Sequence, residues 1–144
     1  MNRRLFGVLA LMAITTVIVS DFASAREDKK KQTDEEISKL LVGTWIIDET
    51  EGTAKIKGKM IYKKDGTEEA DVTIEVGGMT IKLTVSATWK VKDGVLIEKI
   101  TKSSNQDIVK EGTESKDTII SVDKKEYKFK DEKDKERSYK RMTD

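Results

Sequence analysis

The chain has 144 residues, of which 38% are charged and 36% hydrophobic, and its formal net charge is +1. It contains no Cys and no His, which excludes disulfides, thiolate or imidazole metal ligands, and Ser-His or Cys-His nucleophilic sites. The near-equal numbers of basic and acidic residues argue against a nucleic-acid-binding protein, which would carry a clustered basic excess.

The first 25 residues predict a secretory signal peptide. Two arginines open a basic segment, residues 5–19 are almost unbroken apolar, and residues 23–25 have the small-residue sequence Ala-Ser-Ala. The apolar run is shorter than the roughly 20 residues that a membrane-spanning helix needs. We therefore expect cleavage after Ala25 and export to the periplasm or the cell exterior, without a stable membrane anchor. Residues 26–32 predict a charged tether, and residues 33–144 a single folded domain.

A short helix is predicted at the start of this domain. Thr33 and Glu36 form the T-x-x-E pattern of a capping box, in which each side chain accepts a hydrogen bond from the other residue's backbone N–H. Apolar residues then recur at helical spacing, at positions 37, 40 and 41, and Gly43 follows where a helix is expected to end. The pattern predicts a helix over residues 33–42 that covers one end of the domain.

From residue 44 onward the hydrophobic period is two, which indicates strands with one buried face. The alternation predicts eight strands that begin near residues 44, 53, 70, 79, 95, 116, 127 and 138. Asp65-Gly66 predicts a two-residue type I′ turn, tight turns are also predicted at residues 77–78 and 93–94, and residues 104–112 predict a loop.

Successive hairpins of this kind make neighbouring strands antiparallel. The predicted fold class is therefore all-β, an eight-stranded antiparallel up-and-down barrel with a short N-terminal helix. An open, strongly curved sheet or a two-layer sandwich is the alternative.

The first predicted strand opens with Leu-Val-Gly-Thr-Trp, in which Gly43 and Trp45 form a Gly-x-Trp motif. This motif resembles the opening signature of lipocalin-like (calycin) barrels, and more closely that of small exported bacterial lipocalin-like domains. The resemblance implies that Trp45 packs across the closed end of the barrel against an Arg of the last strand. Arg141 occupies that location, and Arg137 is the alternative. The contact would be structural, and the resemblance implies no activity.

The candidate ligand-binding residues are those that the alternation directs into the barrel. They are Ile56, Met60, Tyr62, Val72, Ile74, Ile81, Leu83, Val85, Trp89, Leu96, Tyr127 and Phe129. Such a stripe forms either a packed core or an apolar cavity, and a cavity would take an apolar or amphipathic ligand. Carboxylates are plentiful, among them Glu68, Asp71 and Asp117. Most alternate to the wet face, and none has the spacing of a catalytic or calcium site.

The sequence thus predicts a non-catalytic exported binding protein that holds a small apolar or amphipathic ligand in its barrel, with no cofactor and no metal. The alternative is a protein-binding module, such as an inhibitor or an envelope accessory protein, that uses its loops or outer face around a filled barrel. An internal cavity of at least about 300 Å³ favours the first hypothesis. A packed interior beside an exposed apolar patch favours the second.

Overall fold

The computed structural model describes residues 31–143, and the predicted signal peptide and residues 26–30 of the predicted tether lie outside this range. The described chain begins with one helix, followed by eight strands. They are α1 (Asp34–Leu41), β1 (Gly43–Glu51), β2 (Ala54–Tyr62), β3 (Thr67–Val76), β4 (Met79–Lys92), β5 (Val95–Ser103), β6 (Glu114–Val122), β7 (Glu126–Lys130) and β8 (Glu136–Arg141). Within residues 31–143, no helix has the length and apolar character of a membrane span.

The eight strands close into a barrel in which each pairs antiparallel with the next along the chain and β8 pairs with β1. This confirms the predicted all-β up-and-down barrel and excludes the open sheet and the sandwich. The architecture is compatible with a calycin-like fold. The β3–β4 and β4–β5 connections are two-residue turns with positive φ at both residues, Gly77-Gly78 and Asp93-Gly94, as a type I′ turn requires.

The β2–β3 turn differs from its prediction. Asp65 has no positive φ, and the turn is a three-residue loop in which the Lys63 N–H donates to the Thr67 carbonyl at 2.9 Å. The reason is the Asp65 side chain, which accepts hydrogen bonds from the Thr67 N–H at 2.9 Å and from its hydroxyl at 2.5 Å. An aspartate that bonds to the backbone two residues on replaces the type I′ geometry with an Asx turn.

Helix α1 covers one end of the barrel, as predicted. The capping box forms, because the Glu36 N–H donates to the Thr33 hydroxyl at 3.2 Å and the Thr33 N–H donates to the Glu36 carboxylate at 2.9 Å. The Asp34 carboxylate accepts the N–H groups of Asp93 and Gly94 at 2.7 and 2.8 Å, which ties the helix to the β4–β5 turn. We call this the closed end. The opposite end, where β1–β2, β3–β4, β5–β6 and β7–β8 connect, is the open end.

Trp45 organises the closed end. Its side chain is fully buried, and its indole N–H donates to the Leu41 carbonyl at 2.7 Å. The Arg141 guanidinium lies 4.3 Å from the centroid of the Trp45 ring and donates to the carbonyls of Val42, at 2.9 Å, and Leu40. These carbonyls belong to the last turn of α1, whose acceptors have no partner within the helix. The Trp45–Arg141 pair therefore joins the helix to the barrel.

Gly43 permits this arrangement in two ways. Its φ of +137° lies in a region that L side chains rarely adopt, and a Cβ at this position would lie 2.1 Å from Nη1 of Arg141. Gly58 has a similar role between β2 and β3, because a Cβ there would meet the Asp71 carbonyl oxygen at 2.1 Å. Both glycines allow close approaches that close the barrel.

The contact between β1 and β8, which we call the seam, is short. Its ladder consists of the pairs Trp45–Arg141 and Ile46–Lys140. Nearer the open end, the Arg137 guanidinium crosses the seam to the carboxylates of Glu49 and, at 3.7 Å, Glu51. Arg137 therefore links β1 and β8 by ion pairs beyond the end of their backbone ladder. Of the two predicted arginines, Arg141 is the one that stacks on Trp45.

Candidate functional site

The barrel interior contains a cavity of about 190 Å³, which we call the lumen cavity. Its lining combines aromatic and charged side chains, namely Met60, Tyr62, Glu98, Asp117, Tyr127, Phe129, Asp131, Arg137 and Tyr139. A neighbouring cavity of about 230 Å³ shares Asp117, Asp131 and Arg137 with it and extends to Lys133 in the β7–β8 turn. The lining is thus not the purely apolar one expected from the sequence.

The twelve predicted lining residues divide between several environments. Four of them, Met60, Tyr62, Tyr127 and Phe129, line the lumen cavity. The other aliphatic residues pack away from it. Leu83, Val85 and Leu96 are buried in the core, Ile56 and Val72 pack against it partly buried, and Ile74 and Ile81 face each other across the β3–β4 ladder.

Trp89 lies nearer the closed end. Its ring centroid is 5.3 Å from that of Tyr62 in an edge-to-face contact, and its indole N–H donates to the Thr67 carbonyl at 3.0 Å. Trp89 lines a groove of about 630 Å³ beside α1, together with Val42 and Lys64. It contacts a residue of the lumen cavity without lining that cavity itself.

Three carboxyl groups face the barrel interior, Glu68 on β3, Glu98 on β5 and Asp117 on β6, and we call them the acid cluster. Glu68 is only 6% exposed and shares its face of β3 with Ala70. Glu68 and Asp117 are therefore exceptions to the expectation that most carboxylates face water. Strand alternation forces their orientation, because residues two apart point to the same side.

Glu98 is the best-bonded member of the acid cluster. The Tyr62 hydroxyl donates to its Oε1 at 2.5 Å, and the Ser115 hydroxyl donates to its Oε2 at 3.2 Å. Ser115 lies directly opposite Glu98 in the β5–β6 ladder. Two hydroxyl donors match the acceptor-only character of a carboxylate.

Burial raises the pKa values of the other two members of the acid cluster, Asp117 and Glu68. Desolvation raises the pKa of Asp117 to about 7, and the negative charge of Glu98 adds to this shift. Desolvation and then Glu98 raise the pKa of Glu68 much further, to about 10. At neutral pH, Glu68 is therefore protonated, and Asp117 is close to its titration midpoint.

Two buried polar atoms in this region have no hydrogen-bond partner among the described residues, Oε2 of Glu68 and the hydroxyl of Tyr127. Tyr127 is fully buried and lines the lumen cavity, and burial raises the pKa of its hydroxyl. Its ring stacks on Phe129 with 4.7 Å between centroids. An unpaired buried hydroxyl costs about 1–3 kcal/mol, so a polar ligand group would find a partner there.

Chemically, the lumen cavity can hold a cation and can exchange a proton near neutral pH. Within residues 31–143, no group of three or more Asp and Glu side chains is arranged to hold a metal ion. The sequence signal that identifies the acid cluster is weak, since it consists of carboxylates placed in phase with inward apolar residues.

A substitution at Ala87 can test how tightly the barrel interior is packed outside the lumen cavity. It is 2% exposed, faces Glu68 in the β3–β4 ladder and does not line the lumen cavity. Ala87→Leu is therefore expected to overpack the core and lower the free energy of unfolding by about 1–3 kcal/mol. Urea denaturation measures this, with the partly exposed Ala54, at the start of β2, as the control site for the same substitution. Unchanged stability would show that free space extends to Ala87.

No family model matches this chain, and no curated protein matches it significantly.

Proposed function

We propose that this chain is an exported, non-catalytic, lipocalin-like binding protein that holds one small amphipathic molecule in the lumen cavity. The observation that carries the proposal is the composition of the lining, in which the rings of Tyr127, Phe129 and Tyr139 lie beside the carboxylates of Glu98 and Asp117. A ligand with an apolar body and a polar group matches both parts, as in most small-molecule sites.

The volume of the cavity limits the size of the ligand. At about 190 Å³ it is below the 300–1,000 Å³ typical of drug-sized sites and does not reach the volume that we set from the sequence for a ligand carrier. The proposed ligand is therefore a compact organic molecule, smaller than those that such sites usually hold. A long-chain lipid does not fit within this space.

The distribution of exposed apolar residues gives less support to a protein-binding module. The large exposed hydrophobic side chains of the described chain are Ile46, Met79, Ile108, Ile120 and Met142. The register places Ile46 and Met142 near each other across the seam, and the other three lie on other elements. Two neighbouring side chains are fewer than the contiguous apolar patch that marks an interface. Export itself is proposed from the basic and apolar pattern of residues 1–25.

The test is native mass spectrometry of the protein purified from its own host. We expect a bound mass that is released on unfolding and that belongs to one small organic compound. Met60→Trp, at a buried lining residue, should remove this mass because the larger ring fills the cavity. Met79→Trp makes the same change at a site that is 64% exposed and should retain it. The absence of any bound mass from both the wild type and Met79→Trp would contradict the proposal.

A further inference from the structure

The charges around the lumen cavity do not balance. Arg137 is the basic residue of the lining, and its guanidinium is engaged by the carboxylates of Glu49 and, through Nε at 2.9 Å, Asp131. Glu98 is bonded by hydroxyl groups, and no side-chain hydrogen bond or salt bridge joins Asp117 to another described residue. The charge of Arg137 lowers the pKa of Asp117, but it is shared with Glu49 and Asp131, so the carboxyl groups of the lining outnumber its one basic group.

The strand register places these two groups close together. Asp117 lies opposite Leu96, and Glu98 lies opposite Ser115, so Asp117 and Glu98 are diagonal neighbours on one face of the β5–β6 ladder. Diagonal neighbours are about 7–8 Å apart, within reach of each other's side chains. At this separation one ammonium group can donate to both carboxylates, with hydrogen bonds of about 2.8 Å.

The Tyr127 hydroxyl is an independent sign of a ligand with a polar group. It belongs to a fully buried side chain that lines the cavity, and it has no partner among residues 31–143. A hydroxyl oxygen accepts hydrogen bonds from an ammonium, and the aromatic faces beside it attract a cation. The acid cluster and this hydroxyl thus favour the same kind of group.

We propose that the lumen cavity selects a small protonated organic amine, whose ammonium lies between Glu98 and Asp117 and whose hydrocarbon part lies against Phe129 and Tyr139. This inference rests on the proposed function and names its ligand class. An anion in the lumen cavity would be repelled by the negative charge of Glu98. A calcium ion needs six to eight oxygen ligands, whereas rings occupy much of this lining.

The experiment compares three probes of nearly equal shape, benzylamine, benzyl alcohol and benzoate. Each is titrated into the isotope-labelled protein at about pH 8, where Asp117 is largely ionised, and binding is followed by amide NMR shifts. We expect the Kd of benzylamine to be at least about tenfold lower than that of benzyl alcohol. Benzoate should bind most weakly, and the shifts should centre on β6, β7 and β8.

Two isosteric variants locate the cation. Glu98→Gln and Asp117→Asn should each weaken benzylamine at least about threefold and leave the Kd of benzyl alcohol within about twofold. Each variant removes a buried charge and keeps the shape of the side chain, and urea denaturation checks that it is folded. Glu114→Gln, at an exposed position on the outer face of β6, is the matched control and should change neither Kd.

Proton release provides a second measurement. Binding of benzylamine at about pH 6.5 should release a proton, because a cation beside Asp117 lowers its pKa. Glu98, Asp131, Glu132 and Arg137 also face Asp117. Calorimetry in buffers of different ionisation enthalpy should therefore detect the proton in the wild type and lose it in Asp117→Asn.

The outcomes separate the two proposals. If benzyl alcohol binds in the cavity as tightly as benzylamine, the amine preference is overturned and the proposed function stands. If the two isosteric variants bind benzylamine as tightly as the wild type does, the cation lies elsewhere and the amine site is overturned. If none of the three probes shifts any amide of the lining, both proposals fail.

Discussion

Replacing Trp45 with Ala is expected to lower the free energy of unfolding by about 3–5 kcal/mol, as large aromatic truncations in cores do. The indole is fully buried and lies edge-to-face against Tyr127, with 5.8 Å between ring centroids. Its loss leaves a cavity at the closed end, removes the donor to the Leu41 carbonyl and leaves the Arg141 guanidinium without its stacking partner. All three effects act in the same direction.

Urea denaturation followed by far-UV circular dichroism measures this loss without depending on tryptophan emission. Trp45→Phe is the matched control, because it keeps an aromatic ring over Arg141 and loses only the larger volume and the N–H. We expect its stability to lie between those of the wild type and Trp45→Ala. If Trp45→Ala unfolds at the wild-type midpoint, Trp45 is not the anchor of the barrel.

Glu68→Gln is expected to raise the free energy of unfolding at neutral pH by about 1–3 kcal/mol. Glu68 is 6% exposed, and its pKa in the folded protein lies far above the ordinary value of 4.5, so wild-type folding at pH 7 requires the uptake of a proton. Gln has the same shape and no charge, and it removes this cost.

The sign of the pH dependence follows from the bound protons. Between pH 4.5 and about 10, the folded state of the wild type holds more protons on Glu68 than the unfolded state does. The stability that Glu68 contributes therefore falls as the pH rises through this window. Asp117 acts in the same direction between pH 3.8 and about 7.

Urea denaturation at about pH 5, 7 and 9 tests this dependence. The advantage of Glu68→Gln should grow with pH, and the variant should show the shallower loss of stability. Glu69→Gln removes a neighbouring carboxylate on the outer face of β3, where it forms an exposed pair with Lys63. This control should change stability by less than about 0.5 kcal/mol at each pH. A variant less stable than the wild type at pH 7 would show that Glu68 is charged in the folded state.

Local patterns were sufficient to predict the barrel. Strand alternation and paired turn residues such as Gly77-Gly78 specify hairpins between neighbours in sequence, and an up-and-down barrel consists almost entirely of such contacts. The capping box of α1 joins two residues that are three positions apart, Thr33 and Glu36. The start of the helix could therefore be predicted from the local sequence. The contact of Trp45 with Arg141 at the closed end was implied by the resemblance that the Gly-x-Trp motif carries.

The acid cluster could not be predicted with the same rules. Glu68 and Glu98 lie in phase with Ala70 and Leu96, but hydropathy assigns a lone carboxylate in such a position to water. Asp117 is obscured further, because the register of β6 shifts between residues 119 and 121. Alternation counted back from the buried Val122 therefore places Asp117 on the outer face.

Contacts between residues distant in sequence could not be predicted either. Arg137 bonds to Glu49 across 88 positions, and nothing in either local sequence specifies this pair. Closing the barrel brings β1 and β8 together, and the lumen cavity takes its shape from that closure. The charged half of its lining thus depends on the complete fold.

The short seam has a consequence for self-association. Beyond Ile46, β1 extends past its ladder with β8, and an unpaired strand edge is a template on which another chain can add. This part of β1 carries Asp48, Glu49 and Glu51, and Arg137 pairs with the last two across the seam. Two copies that paired edge to edge would place carboxylates against carboxylates, which is unfavourable. We therefore expect the acidic edge to disfavour polymerisation through β1, and acidification to weaken this effect.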